Sequence, residues 1–164
     1  MSRSIPGWPE EAREAAILKK KSFLVLSGPN LNLLGTRKTS IHGEDSLEDI
    51  HKGLQLRAEE LNVQVDCRQF NSEGDIIDSL QEAPGRFNGL IINAGALAHY
   101  SYALRSAIEA TLLPCVEVSI SNVHAQEEFR HTSVIAPACS GVIVGFGKKS
   151  YLLALEGLVD LSGA

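Results

Sequence analysis

Apolar residues recur in two alternating patterns along this chain. Short apolar or alternating runs occupy Phe23 to Leu26, Val63 to Phe70, Gly89 to Asn93, Cys115 to Ser119 and Gly141 to Gly145, each of a length that suits a buried strand. Between them lie stretches with helical spacing. Leu47 to Leu61 carries Leu47, Ile50, Leu54 and Leu61; Gly74 to Gln81 carries Ile76, Ile77 and Leu80; Tyr102 to Leu112, Ala125 to Arg130 and Ser150 to Val159 follow. Strand and helix alternate without an internal repeat or a long linker. Crossovers between parallel strands are right-handed and put helices on both faces of the sheet. The pattern therefore predicts an α/β fold with a doubly wound, five-stranded parallel sheet.

A sheet of this flavodoxin-like kind binds ligands outside the carboxyl ends of its strands. Polar residues gather at those positions: Asn30 after the first run, Asn71 and Glu73 after the second, Asn93 and His99 after the third, and Ser119, Ser121 and Asn122 after the fourth. Each has an ordinary alternative. Ser121 or Asn122 can cap the helix leading to Arg130, and Glu73 can begin its own helix. The segment Thr36 to Gly43 lacks apolar periodicity and carries Arg37, Lys38 and His42. It reads either as a lid closing over an anionic ligand or as a solvated loop. His124 and His131 are seven apart, which would put them on one helix face, but no third ligand accompanies them, so a metal is rejected. Gly145-Phe146-Gly147 is too short for a dinucleotide fingerprint and reads as a turn that starts a helix.

The 164 residues suit one domain. A net charge of -5 leaves no basic footprint for nucleic acid. Cys67, Cys115 and Cys139 are odd in number, lack metal-ligand spacing and lie in apolar surroundings, as expected of buried, reduced thiols in an intracellular protein. Acidic residues Glu10, Glu11 and Glu14 interrupt the first 22 residues, which excludes a secretion signal. Pro9 followed by EEAREAAILKKK reads as a helix with acids at its start and lysines at its end. The expected layout is a helical extension over 1–22 and a single domain over 23–164. No apolar run approaches the roughly 20 residues of a membrane span, so a cytoplasmic location is expected, without membrane contact.

Four segments in order, GPNLNLLGTR, NSEG at 71–74, NAGALAH at 93–99 and EVSISNVHAQEEFRH at 117–131, carry a resemblance to the type II 3-dehydroquinate dehydratases. It runs from about Phe23 to the last helix. The resemblance implies anti elimination of water from 3-dehydroquinate through an enolate, without metal or organic cofactor, in a homo-oligomer, a dodecamer built as a tetramer of trimers. It further implies that Asn30 holds a water that stabilises the enolate and that Arg37 depresses the pKa of the catalytic base. Asn93, His99, Ile120, Ser121 and Arg130 match positions that hold the substrate's hydroxyls and carboxylate, Ile120 and Ser121 through backbone amides. Glu117 matches the glutamate that orients the family's catalytic histidine.

Departures from the family pattern fall at the acid and the base. The base in such enzymes is a tyrosine five residues after the lid arginine, a position that holds His42 here. The general acid is the histidine of a Glu-x-His-x-Ser-Asn segment, and Ser119 stands in its place. An aspartate that reaches the neighbouring subunit is replaced by Ser106. A neutral imidazole beside an arginine can abstract a proton, whereas a serine hydroxyl cannot protonate a leaving hydroxide at neutral pH. Three functions follow as expectations: a diverged enzyme with lyase or cyclase chemistry on another small cyclic or carboxylated substrate; a 3-dehydroquinate dehydratase with substitute acid and base groups; or a binding or assembly subunit without turnover.

Overall fold

The computed structural model describes residues 19–36 and 45–163. Five strands form one sheet: β1 (Ser22–Ser27), β2 (Gln64–Gln69), β3 (Gly89–Asn93), β4 (Cys115–Ser119) and β5 (Gly141–Val144). All pairings are parallel, in the order β2-β1-β3-β4-β5. The helices are α1 (Leu47–Glu60), α2 (Glu73–Gln81), α3 (Tyr102–Thr111) and α4 (Lys149–Leu161). The predicted doubly wound α/β sheet is the observed one. The expected helix over Pro9 to Lys21 falls largely outside the described residues, and so does nearly all of the Thr36 to Gly43 segment. Among the described residues, no helix is long and apolar enough to cross a membrane.

Period-2 alternation in the strands divides the core between the two faces of the sheet. Phe23, Val25, Ile91, Val116 and Val118 pack with Ile50 and Leu54 of α1 and with Tyr151, Leu155 and Leu158 of α4. Leu24, Leu26, Leu90, Ile92 and Cys115 pack on the other face with Ile76 and Leu80 of α2 and with Leu104 and Ile108 of α3. Burying each of these aliphatic side chains contributes roughly 1.5–3 kcal/mol. The expected cysteine burial holds fully only for Cys115; Cys67 and Cys139 are half-buried, and all three are free thiols.

Local signals place the helix starts. Ser46 caps α1 by accepting from the Asp49 N–H at 3.2 Å, while the Asp49 carboxylate accepts from the Ser46 N–H at 2.9 Å. Ser72 caps α2, so that Glu73 is its first residue, and Ser101 caps α3. Gly145 and Gly147 adopt left-handed φ values of 91° and 59° just before α4, as the helix-start reading requires. At Gly28, where β1 ends, a Cβ would lie 2.6 Å from the Ala94 carbonyl oxygen. Only glycine allows β1 and β3 to end so close together.

One predicted helix is not an α-helix. Ala125 to Arg130 is split between two short 3₁₀ turns, Val123–Ala125 and Glu128–Arg130. Neither turn buries a residue, and Gln126 between them is extended. Without an apolar face to pack, the segment gains too little to propagate a helix.

Candidate functional site

The carboxyl ends of β3 and β4, with the loop that follows β4, enclose a cavity of about 520 Å³. Asn93 closes β3 and is buried. Its Nδ2 donates to the Tyr151 hydroxyl at 3.0 Å, and its Oδ1 accepts from the Gly95 N–H at 3.3 Å. Tyr151 also lies 3.2 Å from the Ser27 hydroxyl. Burial pushes the Tyr151 phenol up to about 12, against the opposing effect of these hydrogen bonds. The 3₁₀ turn after β3, Gly95–His99, presents His99 to the cavity. His99 Nδ1 is 2.8 Å from the Thr132 carbonyl oxygen. A carbonyl can only accept, so Nδ1 carries the proton and Nε2 keeps a lone pair in the neutral ring.

On β4 the alternation puts Cys115, Glu117 and Ser119 on one face, opposite Val116 and Val118. Glu117 is 7% exposed, yet it lines the cavity together with half-buried Ser119. The Ser133 hydroxyl lies 2.9 and 2.8 Å from the two carboxylate oxygens of Glu117 and accepts from the Ala136 N–H at 3.0 Å. Burial raises the pKa of Glu117 above its ordinary value, and the Ser133 hydrogen bond opposes part of that rise.

The loop after β4 supplies the remaining wall. Asn122 accepts from the His124 N–H at 3.1 Å and so caps a 3₁₀ turn, the role its sequence position suggested. Gln126 Nε2 donates to the Ser121 hydroxyl at 3.0 Å. Arg130 pairs with Glu127 at 2.9 Å and stacks 4.8 Å from the centre of the Phe129 ring. The His124 and His131 rings are 5.9 Å apart, brought together by the turns rather than by a helix face. Among the described residues, no group of three or more His, Cys, Asp or Glu side chains is arranged to hold a metal.

Of the residues singled out in the sequence, Asn93, His99, Glu117, Ser119, Ile120, Ser121 and Arg130 line this one cavity. Asn30 does not. It sits exposed just past β1 with a left-handed φ of 67°, and its N–H donates to the Asn71 side chain at 3.0 Å; the next residue, Leu31, is the one that lines the cavity. Arg37 and His42 lie outside the described residues. Sequence reasoning missed Ser133 and Tyr151. Ser133 carries no signal of its own, lying in a loop 16 positions from Glu117, and Tyr151 reads as one more apolar residue of α4.

The cavity thus brings a guanidinium, imidazoles and hydroxyls together with one buried carboxyl. Such a lining suits a small ligand with a carboxylate and several hydroxyls, and it can hold a proton on the cavity floor.

Comparison with known proteins points the same way. The family profile described as Dehydroquinase class II matches residues 21–159. The chain is 52% identical over 142 residues to the 3-dehydroquinate dehydratase of Caldicellulosiruptor bescii, covering 86% of this chain and 98% of that one. It is 48% identical over 141 residues to the Bacillus subtilis protein of that name, covering 86% and 95%. The crystal structure of type II dehydroquinase from Butyrivibrio crossotus superimposes with a TM-score of 0.83 at 44% identity, over 85% of this chain and 97% of that chain.

Proposed function

Because the chain belongs to the class II dehydroquinase family, we propose that its cavity binds 3-dehydroquinate and removes water from it to give 3-dehydroshikimate. The observation that carries this reading is the convergence of Asn93, His99, Ser121 and Arg130 on one cavity above Glu117. Relatives named 3-dehydroquinate dehydratase at about half identity over most of the chain support it. Arg130 holds the substrate carboxylate, while Asn93, His99 and the backbone amides of Ile120 and Ser121 hold its hydroxyls. The resemblance gives the water at the enolate oxygen to Asn30, which lies just outside the cavity lining next to Leu31, and gives the base role to His42 with Arg37 lowering its pKa. No organic cofactor or metal takes part. Ser119 in place of an imidazole acid lowers the rate, by about 10² to 10⁴ if nothing replaces the acid.

The working form in this reading is a cytoplasmic homo-oligomer, a dodecamer arranged as a tetramer of trimers. Exposed Val142 on the edge strand, with Phe146 and Leu153 nearby in sequence, offers apolar surface for it. The domain spans 23–164, and residues 1–22 form an extension.

Ser119 on the cavity wall favours a second reading, in which a related carboxylated ring is the substrate. A turnover assay on 3-dehydroquinate beside a calorimetric binding titration separates the two. Slow turnover with stoichiometric binding supports the dehydratase. Absence of both overturns it in favour of another substrate, and tight binding without turnover marks a binding subunit. Light scattering that reports a monomer overturns the dodecamer.

A further inference from the structure

Glu117 has an unusual setting for a carboxyl group. It is 7% exposed, yet among the described residues it pairs with no cation; its hydrogen-bond partner is the Ser133 hydroxyl. That hydroxyl has one proton, which serves one carboxylate oxygen at a time although both are within 2.9 Å. The second oxygen is satisfied best when it carries a proton of its own or meets a water. In register across the sheet stand Ile92 of β3 and Val142 of β5, both apolar. Along β4 the neighbouring titratable group is Cys115. The other titratable or charged residues that line the same cavity are His99, His124, Glu127, Arg130 and His131.

Glu117 and Ser119 share one strand face, and residues two apart on a strand are separated by about 6.6 Å. Among the described residues no direct hydrogen bond joins the two side chains, and both line the cavity, where a water can bridge them. We propose that Glu117 is the proton source of the site, passing its carboxyl proton through a water beside Ser119 to the hydroxyl that leaves the substrate.

The step rests on the dehydratase reading above. The base takes the α-proton and leaves an enolate. As the carbonyl re-forms, the C–C double bond forms and the C–O bond breaks. The departing oxygen takes a proton from the bridging water, which takes the one on Glu117. The products are the enone and one water, and the proton held by the base returns to the Glu117 carboxylate through solvent. Burial favours this role, because it keeps the carboxyl protonated to higher pH than an exposed glutamate would be.

Steady-state kinetics on 3-dehydroquinate, from acid to alkaline pH, test the assignment with the full-length parent, Glu117→Gln and Glu117→Asp. The parent kcat is expected to fall as pH rises past the elevated Glu117 pKa. Glu117→Gln should lower kcat by about 10² to 10⁴ with little change in KM, and should abolish that limb of the profile. Glu117→Asp should recover part of the rate and keep the limb. A Glu117→Gln enzyme with the parent's kcat and the same limb overturns this inference and leaves the dehydratase reading standing. A parent that does not turn over 3-dehydroquinate overturns the reading, and this inference with it. Should the variants misfold, NMR of carboxyl-labelled parent decides: a Glu117 that titrates near 4.3, as in an unperturbed peptide, overturns the assignment, and a higher midpoint supports it.

Discussion

The buried Ser27–Tyr151–Asn93 cluster and the pair of buried Glu117 with half-buried Ser133 lie on opposite faces of the same sheet, but their hydrogen bonding differs. In the first, a phenol, a hydroxyl and an amide are all neutral and bond one another at 3.0 and 3.2 Å. It ties β1, β3 and α4 together. In the second, a carboxyl group has one hydroxyl for a partner and opens on the cavity. A closed neutral network secures packing, because each member removed leaves another unsatisfied. A carboxyl left with a proton to lose, next to a cavity, is suited to reaction and holds the fold together less well. The same sheet thus carries a closed neutral cluster on one face, with Asn93 at its cavity end, and an open carboxyl on the other.

Giving the open pair a partner should have the largest effect. The double variant Ser119→His with His42→Tyr puts an imidazole beside Glu117 and a phenol at the base position. Turnover of 3-dehydroquinate should rise by about 10² to 10⁴ over the parent and well beyond either single change, since acid and base act on opposite ends of one elimination. Initial rates of the four enzymes check it, and a double variant no faster than its better single breaks the comparison at its reactive end.

Truncating the closed cluster tests its structural end. Tyr151→Ala should destabilise the protein by about 3–5 kcal/mol, as expected for emptying a fully buried aromatic site. Tyr151→Phe keeps the volume and removes only the hydroxyl, leaving Ser27 and Asn93 short of a partner. The loss should be about 1–3 kcal/mol. Urea denaturation measures both.

The smallest effect has the opposite sign. Glu117 has a folded pKa raised above its unfolded value, so its favourable contribution is fully present below the unfolded pKa and is lost as pH rises through the folded one. At neutral pH its ionisation works against the fold. Glu117→Gln should therefore stabilise the protein near neutrality, with the gain vanishing as the pH is lowered to the ordinary glutamate range. Melting temperatures across that interval decide it; a destabilised Gln variant at neutral pH would mean that the ionised Glu117 carboxylate is better supported than its Ser133 contact implies.

Much of this contrast was legible in the sequence, and its limits are physical. The five runs gave every strand to within a residue or two: β1, β3 and β4, buried on both faces, have few polar positions to confuse the pattern, and the edge strand β2 alternates. Asn93 and Ser119 could be placed at a ligand-binding edge because each ends such a run. The loop over 120–139 was the hard part. Its residues are held by contacts such as Gln126 to Ser121 and Ser133 to Glu117, which obey no period, so a helix was expected where two 3₁₀ turns stand. Tyr151 shows a different limit. Its helix was predictable, but the partners of its hydroxyl depend on the register of β1 beside β3, which no local signal encodes. Asn30 takes a left-handed backbone just past β1, and Asn is among the few side chains that tolerate that conformation.

The strand order also has a consequence during synthesis. Among the described residues β1 is the earliest strand and lies inside the sheet, and its partners arrive late: Phe23 pairs with Val65 and Gly89, about 40 and about 65 residues further on. At roughly 5–20 residues per second, the ribosome leaves Phe23 to Leu26 without either neighbour for about 2–8 seconds, and without the second for about 3–13. Throughout that interval the most apolar stretch of the nascent chain has two bare hydrogen-bonding edges, which makes it the natural grip for a holding chaperone and the point from which misassembly of the emerging chain would begin.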